Sequence, residues 1–148
     1  MKYHVAGVLE LKQILKRIEE EHLVEDYDLA RCIGPASYEL RIGGCREGQT
    51  GNLVKLQRGD TIAVLPDGFL LVETVERVNL QLDIMGMMYL SSAFARRGFV
   101  PWFQGIVDRG HSGKLGIFLL NLTKELVLIE GEERICHVVF ERLLEPLV

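Results

Sequence analysis

Between residues 91 and 98 the chain carries Ser91, Ser92, Arg96, Arg97 and Gly98 in one short polar stretch. Two hydroxyls and two guanidinium groups this close can surround a phosphate, the hydroxyls and nearby backbone with neutral hydrogen bonds and the arginines with charge-assisted ones. The same residues also fit a solvated basic turn. Glu39 offers the oxygen ligand that a hard divalent cation prefers, directly or through water; a pairing with Arg41 or Arg96 fits it as well. Asp108 stands just before Gly110, a place where aspartate commonly caps a turn. His111 follows, with an imidazole that can stack on a ligand or sit half-exposed in a loop. Cys32, Cys45 and Cys136 have no C-x-x-C spacing and no accompanying His pattern, so they read as small hydrophobes or surface thiols without a chemical role. The four histidines match no metal-ligand spacing.

These groups need a scaffold. Val8, Leu11, Leu15 and Ile18 recur at spacings of three and four with charged residues between them, which predicts an amphipathic helix over about 8–22. From about 35 onward the pattern changes to short apolar runs broken by turn residues, predicting a mainly β domain over 35–148 of sandwich or barrel type. Strands are expected at 35–42, 61–64, 69–74, 77–80, 85–90, 105–107, 114–122, 126–129 and 134–143, with loops at Gly43-Gly44 and 48–51 and a helical turn over 91–97. Leu115, Ile117, Leu119 and Leu120 occupy both faces of their strand, which predicts burial on both sides.

Composition bounds the rest. With 148 residues, 48% of them hydrophobic, one domain over 1–148 can bury its core without disulfides or metal. A net charge of −4 gives no basic footprint for a nucleic acid polymer, and no long apolar span suggests a membrane. An odd number of cysteines with no signal peptide predicts a reduced, cytoplasmic setting.

Four stretches in order resemble the dUTPase and dCTP deaminase superfamily, and with the leading helix the resemblance covers nearly the whole chain. Residues 34–43, with Pro35, Ser37, Tyr38, Glu39 and Arg41, are similar to the deaminase opening motif, which usually has Asp at Glu39. Residues 91–98 resemble the Ser-rich phosphate-binding motif. Residues 105–113, with Gly105, Ile106, Val107, Asp108, Gly110, His111 and Gly113, resemble the hairpin that recognises pyrimidine and sugar. Residues 133–143, ending in Phe140, Glu141, Arg142 and Leu143, resemble the closing strand. The leading helix and that ending are nearer the deaminase branch.

The resemblance implies a distorted, jelly-roll-like β-barrel of dUTPase type, a homotrimer with shared sites, and a deoxynucleoside triphosphate ligand held with Mg²⁺. Its chemistry divides at one position. Deaminases carry a proton-shuttling glutamate after the hairpin, and alignment through Gly110, Gly113 and Asn121 puts Phe118 there, a ring that moves no proton. Glu125, in the turn beyond, is not expected to substitute. A dUTPase needs instead an aspartate that activates the water attacking the α-phosphorus, and Asp108 matches it. The expectation is dUTP diphosphatase activity, with Asp108 as base, Ser91, Ser92, Arg96 and Arg97 on the phosphates, Gly105, Ile106 and Val107 reading the base and His111 against the sugar. A catalytically inactive nucleotide-binding or regulatory relative is the alternative and a dCTP deaminase the third reading. Four departures stand out: the motif's leading Arg is absent, His111 replaces an aromatic ring, His137 replaces a glutamine, and the chain stops soon after its last strand, without the Gly-rich arm of many trimeric dUTPases.

Overall fold

The computed structural model describes residues 5–47, 51–101 and 105–145; His4, most of the 48–51 loop and the segment after Glu145 lie outside it. In chain order the elements are β1 (Gly7–Val8), α1 (Leu11–Glu21), β2 (Val24–Glu25), α2 (Leu29–Cys32), β3 (Tyr38–Glu47), β4 (Val54–Lys55), β5 (Thr61–Val64), β6 (Phe69–Asn79), β7 (Ile84–Leu90), α3 (Ser92–Arg96), β8 (Phe99–Pro101), β9 (Gly105–Val107), β10 (Ser112–Asn121), β11 (Val127–Glu130) and β12 (Arg134–Arg142). The mainly β expectation holds. A long sheet in the order β8-β10-β6-β3-β12-β7-β9 curls into a half-barrel, and β5 and β11 pair separately.

Helix α1 buries Ile14 and Ile18 but leaves Leu11 and Leu15 partly exposed, so its buried stripe is rotated from the expected one. Val8 is not helical. It pairs with Glu141 across β1 and β12. Gln13 Oε1 accepts the Glu10 amide at the start of α1, and His22 closes its end in a left-handed conformation.

Two strand readings need correction. Gly43-Gly44 is not a loop: both residues lie inside β3, where the register against β6 slips between Ile42 and Gly44. A Cβ at Gly43 would stand 2.8 Å from Val75 N, so the bulge brings two backbones too close for any side chain. The segments 69–74 and 77–80 are one strand, β6, whose Thr74 and Glu76 point inward between Val72 and Val78. Thr74 Oγ1 donates to Glu76 O and accepts Leu115 N, so its hydroxyl is satisfied within the core.

The core lies inside the curl, around Tyr38, Leu40, Val72, Leu119, Val138 and Phe140. β10 buries Leu115, Ile117 and Leu119 there, but Gly116, Phe118 and Leu120 on its other face are exposed or half-exposed, so the strand is not buried on both sides within this chain.

Candidate functional site

Ser91 is the N-cap of α3: its Oγ accepts the Phe94 amide and the residue is buried. Ser92 is exposed beside it. Both serines line a cavity of about 310 Å³ with Arg31, Glu39, Arg134 and His137. Glu39 pairs with neither Arg41 nor Arg96. Its carboxylate stands 3.9 Å from Arg134 Nη1, because β3 and β12 are neighbours with Glu39 opposite His137. The two arginines of the motif part company. Arg96 is exposed and has no partner among the described residues. Arg97 donates to Glu133 Oε2 at 2.8 Å and to Leu128 O, with its guanidinium over the rings of Phe94 and Phe99. Arg97 thus ties the end of α3 to β11 and to the turn that leads into β12.

The stretch 105–113 is not a hairpin of two paired strands. β9 pairs with β7 and β10 with β6 and β8, so the strands on either side of the turn run into different halves of the curled sheet. The turn is closed by backbone: Gly110 N donates to Leu80 O, His111 N to Asp108 O, and Leu80 N to His111 O. Gly110 has φ +83, a conformation costly for other residues. Asp108 therefore caps nothing. Its side chain is exposed, with no hydrogen bond or ion pair among the described residues. His111 is half-buried with Nε2 3.3 Å from Gly113 O. Gly105, Ile106 and Val107 form an edge strand: among the described residues only β7 pairs with it, and Ile106 is 65% exposed. Its second row of backbone donors and acceptors has no strand partner among the described residues.

Near that open edge, Gly105, Met88, Leu90, Pro101, Gly116 and Phe118 line a small apolar recess. Phe118 stacks on Phe69, with ring centroids 5.4 Å apart and planes 5° from parallel. Glu125 lies in the turn after β10 and is exposed. The carboxylate sharing the face of Phe118 is Glu73 on β6, which stands opposite Gly116 and 3.7 Å from Lys114 Nζ. The sequence alone could not reveal it, because that proximity depends on the β6–β10 register.

A buried charged network supports this side of the molecule. Glu76 is fully buried and accepts Tyr38 Oη at 2.7 Å, Arg41 N at 2.9 Å and Arg41 Nε at 2.8 Å. Arg41 also donates to Glu132 Oε1 and Asp26 O. Asp26 and Glu132 both have positive φ, so Arg41 braces two otherwise unfavourable turns. Burial, and then the Glu76 charge, push the Tyr38 phenol far above its ordinary range. Among the described residues no group of three or more His, Cys, Asp or Glu could hold a metal, and no helix is long and apolar enough to cross a membrane.

Residues 8–143 match the model of a family described as dCTP deaminase-like. A protein named dCTP deaminase from Thermococcus sibiricus is 36% identical over 131 residues, covering 88% of this chain and 81% of the relative. The fold is similar to that of a 2′-deoxycytidine 5′-triphosphate deaminase from Agrobacterium tumefaciens, with a TM-score of 0.75 at 15% identity over 93% of this chain. This chain spans 49% of that one's length. A dUTPase from Streptococcus mutans has a TM-score of 0.58 at 19% identity, with 85% of this chain and 97% of the other covered.

Proposed function

The chain belongs to the dCTP deaminase-like family, within the superfamily that also holds the dUTPases, and from that premise we propose that it is a dUTP diphosphatase. The observation that carries the reading is the pair of sites at Asp108 and Phe118. A free carboxylate stands on the turn that matches the superfamily's pyrimidine-binding motif, while a phenyl ring stacked on Phe69 fills the position of the deaminase glutamate. In the reaction Asp108 takes a proton from a water that attacks the α-phosphorus; the bond to the bridging oxygen breaks, and pyrophosphate leaves dUMP. Ser92 and Arg96 are free to meet the phosphates, and the β9 edge to read the base, with His111 beside the sugar.

Mg²⁺ would neutralise the triphosphate. Glu39 offers a single carboxylate beside the serines, a donor set that suits a cation arriving on the nucleotide with most of its ligands supplied by phosphate and water.

The geometry also supports a shared site. Asp108 lies just past β9 at the Gly86 end of β7, and Ser91 just past the other end. At the rise of a β-strand the two are about 20 Å apart, so one subunit cannot present both to one triphosphate. A closed homotrimer in which one subunit supplies Asp108 and a neighbour the serines removes the difficulty. A monomer by light scattering would contradict it.

One observation favours a second reading, deamination of dCTP: the named relative is a dCTP deaminase. Glu73 would then have to carry the protons that Phe118 cannot. The test is incubation with Mg²⁺ and each of dUTP, dCTP, dTTP and UTP, with products separated by chromatography. We expect dUMP and pyrophosphate from dUTP, reduced by roughly a hundredfold or more in Asp108→Asn. Ammonia from dCTP, lost in Glu73→Gln, would replace the diphosphatase reading with the deaminase one. Nucleotide binding without turnover would make the protein a regulatory relative.

A further inference from the structure

The turn that carries Asp108 has no ladder between its two flanking strands, because β9 and β10 pair with different partners. It is held instead by the last residue of β6 and by the connection to β7, residues 80–83. Gly110 N donates to Leu80 O at 3.0 Å and Leu80 N to His111 O at 2.7 Å. Ser112 Oγ, on the first residue of β10, donates to Asn79 Oδ1 at 2.7 Å. Arg109 Nη1 reaches Leu82 O at 3.5 Å.

The same stretch is also fastened to α1 and β2. Arg17 donates to both carboxylate oxygens of Asp83, at 3.1 and 2.8 Å. Asn79 N donates to Leu23 O at 2.9 Å, and Asn79 Nδ2 donates to His22 O at 2.8 Å and to Glu25 Oε1 at 2.9 Å. A backbone carbonyl and a carboxylate can only accept, so these two partners fix which end of the Asn79 carboxamide is nitrogen. One side chain therefore joins two groups of residues: its oxygen holds the turn through Ser112, and its nitrogen holds the residue that closes α1 and the second residue of β2. The Ser112–Asn79 strand pairing and the bond from Asn79 N to Leu23 O are made by backbone, so a change of side chain releases the turn without unpairing β6 from β10.

We propose that Asn79 is a positioning residue: its carboxamide, bonded to Ser112 at one end and to His22 and Glu25 at the other, fixes the Asp108 turn relative to α1 and β2. The kinetic consequence rests on the diphosphatase reading above, in which Asp108 is the base; the restraint on the turn does not. A base must stay within hydrogen-bond reach of the water it activates, and Asp108 has no side-chain bond of its own among the described residues to keep it there. Displacement of a reacting group by even about 1 Å can cost up to about a hundredfold in rate.

The test has two arms on the whole chain: hydrogen exchange at the Gly110 and His111 amides, and kcat with Mg²⁺ and saturating dUTP. The β5 and β11 amides, in a separate sheet, serve as the exchange reference. The variants are Asn79→Ala, Asn79→Asp, Ser112→Ala, Ser112→Thr and the double alanine variant, with thermal unfolding to confirm the fold of each. Ser112 is exposed, so its loss leaves the core intact. Asn79→Ala and Ser112→Ala are each expected to speed exchange at Gly110 and His111 about fivefold, the ratio for one lost hydrogen bond, with the reference amides unchanged. Each is expected to lower kcat roughly tenfold, and the double variant to lower it no further than either single one. Ser112→Thr keeps the hydroxyl and should match the unaltered protein. Asn79→Asp keeps the acceptor but loses both donors beside His22 and Glu25, and should behave like Asn79→Ala.

Unchanged exchange at the turn in both alanine variants, or exchange raised equally at the reference amides, overturns the restraint. Additive losses of kcat in the double variant, or a Ser112→Thr protein as slow as Ser112→Ala, overturn the link between the two side chains. Faster exchange with unchanged kcat overturns the positioning role. Absence of dUTP turnover by the unaltered protein overturns the diphosphatase reading instead, and the exchange arm then decides by itself whether Asn79 fixes the turn.

Discussion

Replacing Arg41 with Met should destabilise the protein severely. The Glu76 carboxylate is fully buried and accepts three hydrogen bonds, one of them from the Arg41 guanidinium, which also compensates its charge. Methionine approximates the length of the side chain but leaves that charge in the core with only Tyr38 Oη and the residue 41 amide as donors. Breaking a buried pair by removing one partner costs about 3–5 kcal/mol. The variant also loses the bonds to Glu132 and Asp26 that brace two positive-φ residues. For a chain of this size each kcal/mol moves Tm by about 2–4 °C, so a fall of about 10 °C is expected. Urea unfolding at neutral pH measures it, with circular dichroism to confirm the native fold. Replacing Glu76 with Leu in the same chain removes both charges and should recover part of the loss. A cost below about 1 kcal/mol for Arg41→Met, or a double variant no more stable than the single, would refute the claim that a buried ion pair holds β3 to β6.

Three further outcomes follow from the contacts described. The Arg17 guanidinium, hydrogen-bonded to Asp83 at 2.8 Å, holds that carboxyl below its ordinary range. A depressed folded-state pKa contributes stability that is present above the unfolded value and is lost as pH falls through the folded one. The stability gap between the protein and Asp83→Asn, measured by urea unfolding, should therefore close as pH drops below about 4. Asn121→Ala should cost about 2–4 kcal/mol in the same assay, because the buried amide donates to Val64 O, Leu65 O and Glu125 O and accepts from Thr123 N, and its loss orphans them together. Cys32, Cys45 and Cys136 are all buried, and burial pushes the Cys136 thiol well above the ordinary cysteine range, so none should react with a thiol reagent until the protein unfolds.

How far the sequence reaches can be judged residue by residue. The leading helix, the strand-rich body, the helical turn after Ser91 and the turn after Asp108 were legible because each rests on a local signal: a period of 3.6 or 2, a capping serine, a glycine in a turn. Family-level motifs in order identified the superfamily. Thr74 and Glu76 misled the reading of β6, since two polar residues in inward positions look like the end of a strand. They are instead satisfied by Leu115 N, Tyr38 and Arg41, partners 35 to 41 residues away. Gly43-Gly44 misled in the opposite sense: glycines that usually mark a loop here permit a backbone contact within a sheet.

Residue types and their order along the chain thus determined which groups this protein carries for chemistry: a carboxylate at Asp108, hydroxyls at Ser91 and Ser92, and no acid at Phe118. Tertiary structure alone decided how they are used. Strand register placed Glu39 beside Arg134 and His137, set Glu73 on the face of Phe118, tied Arg97 to Glu133, and left Asp108 free at the far end of β7 from the serines. The physical reason is that a strand's local pattern states which side chains share a face, whereas the groups they meet depend on pairing with distant strands. A slip of one residue in that pairing exchanges every neighbour.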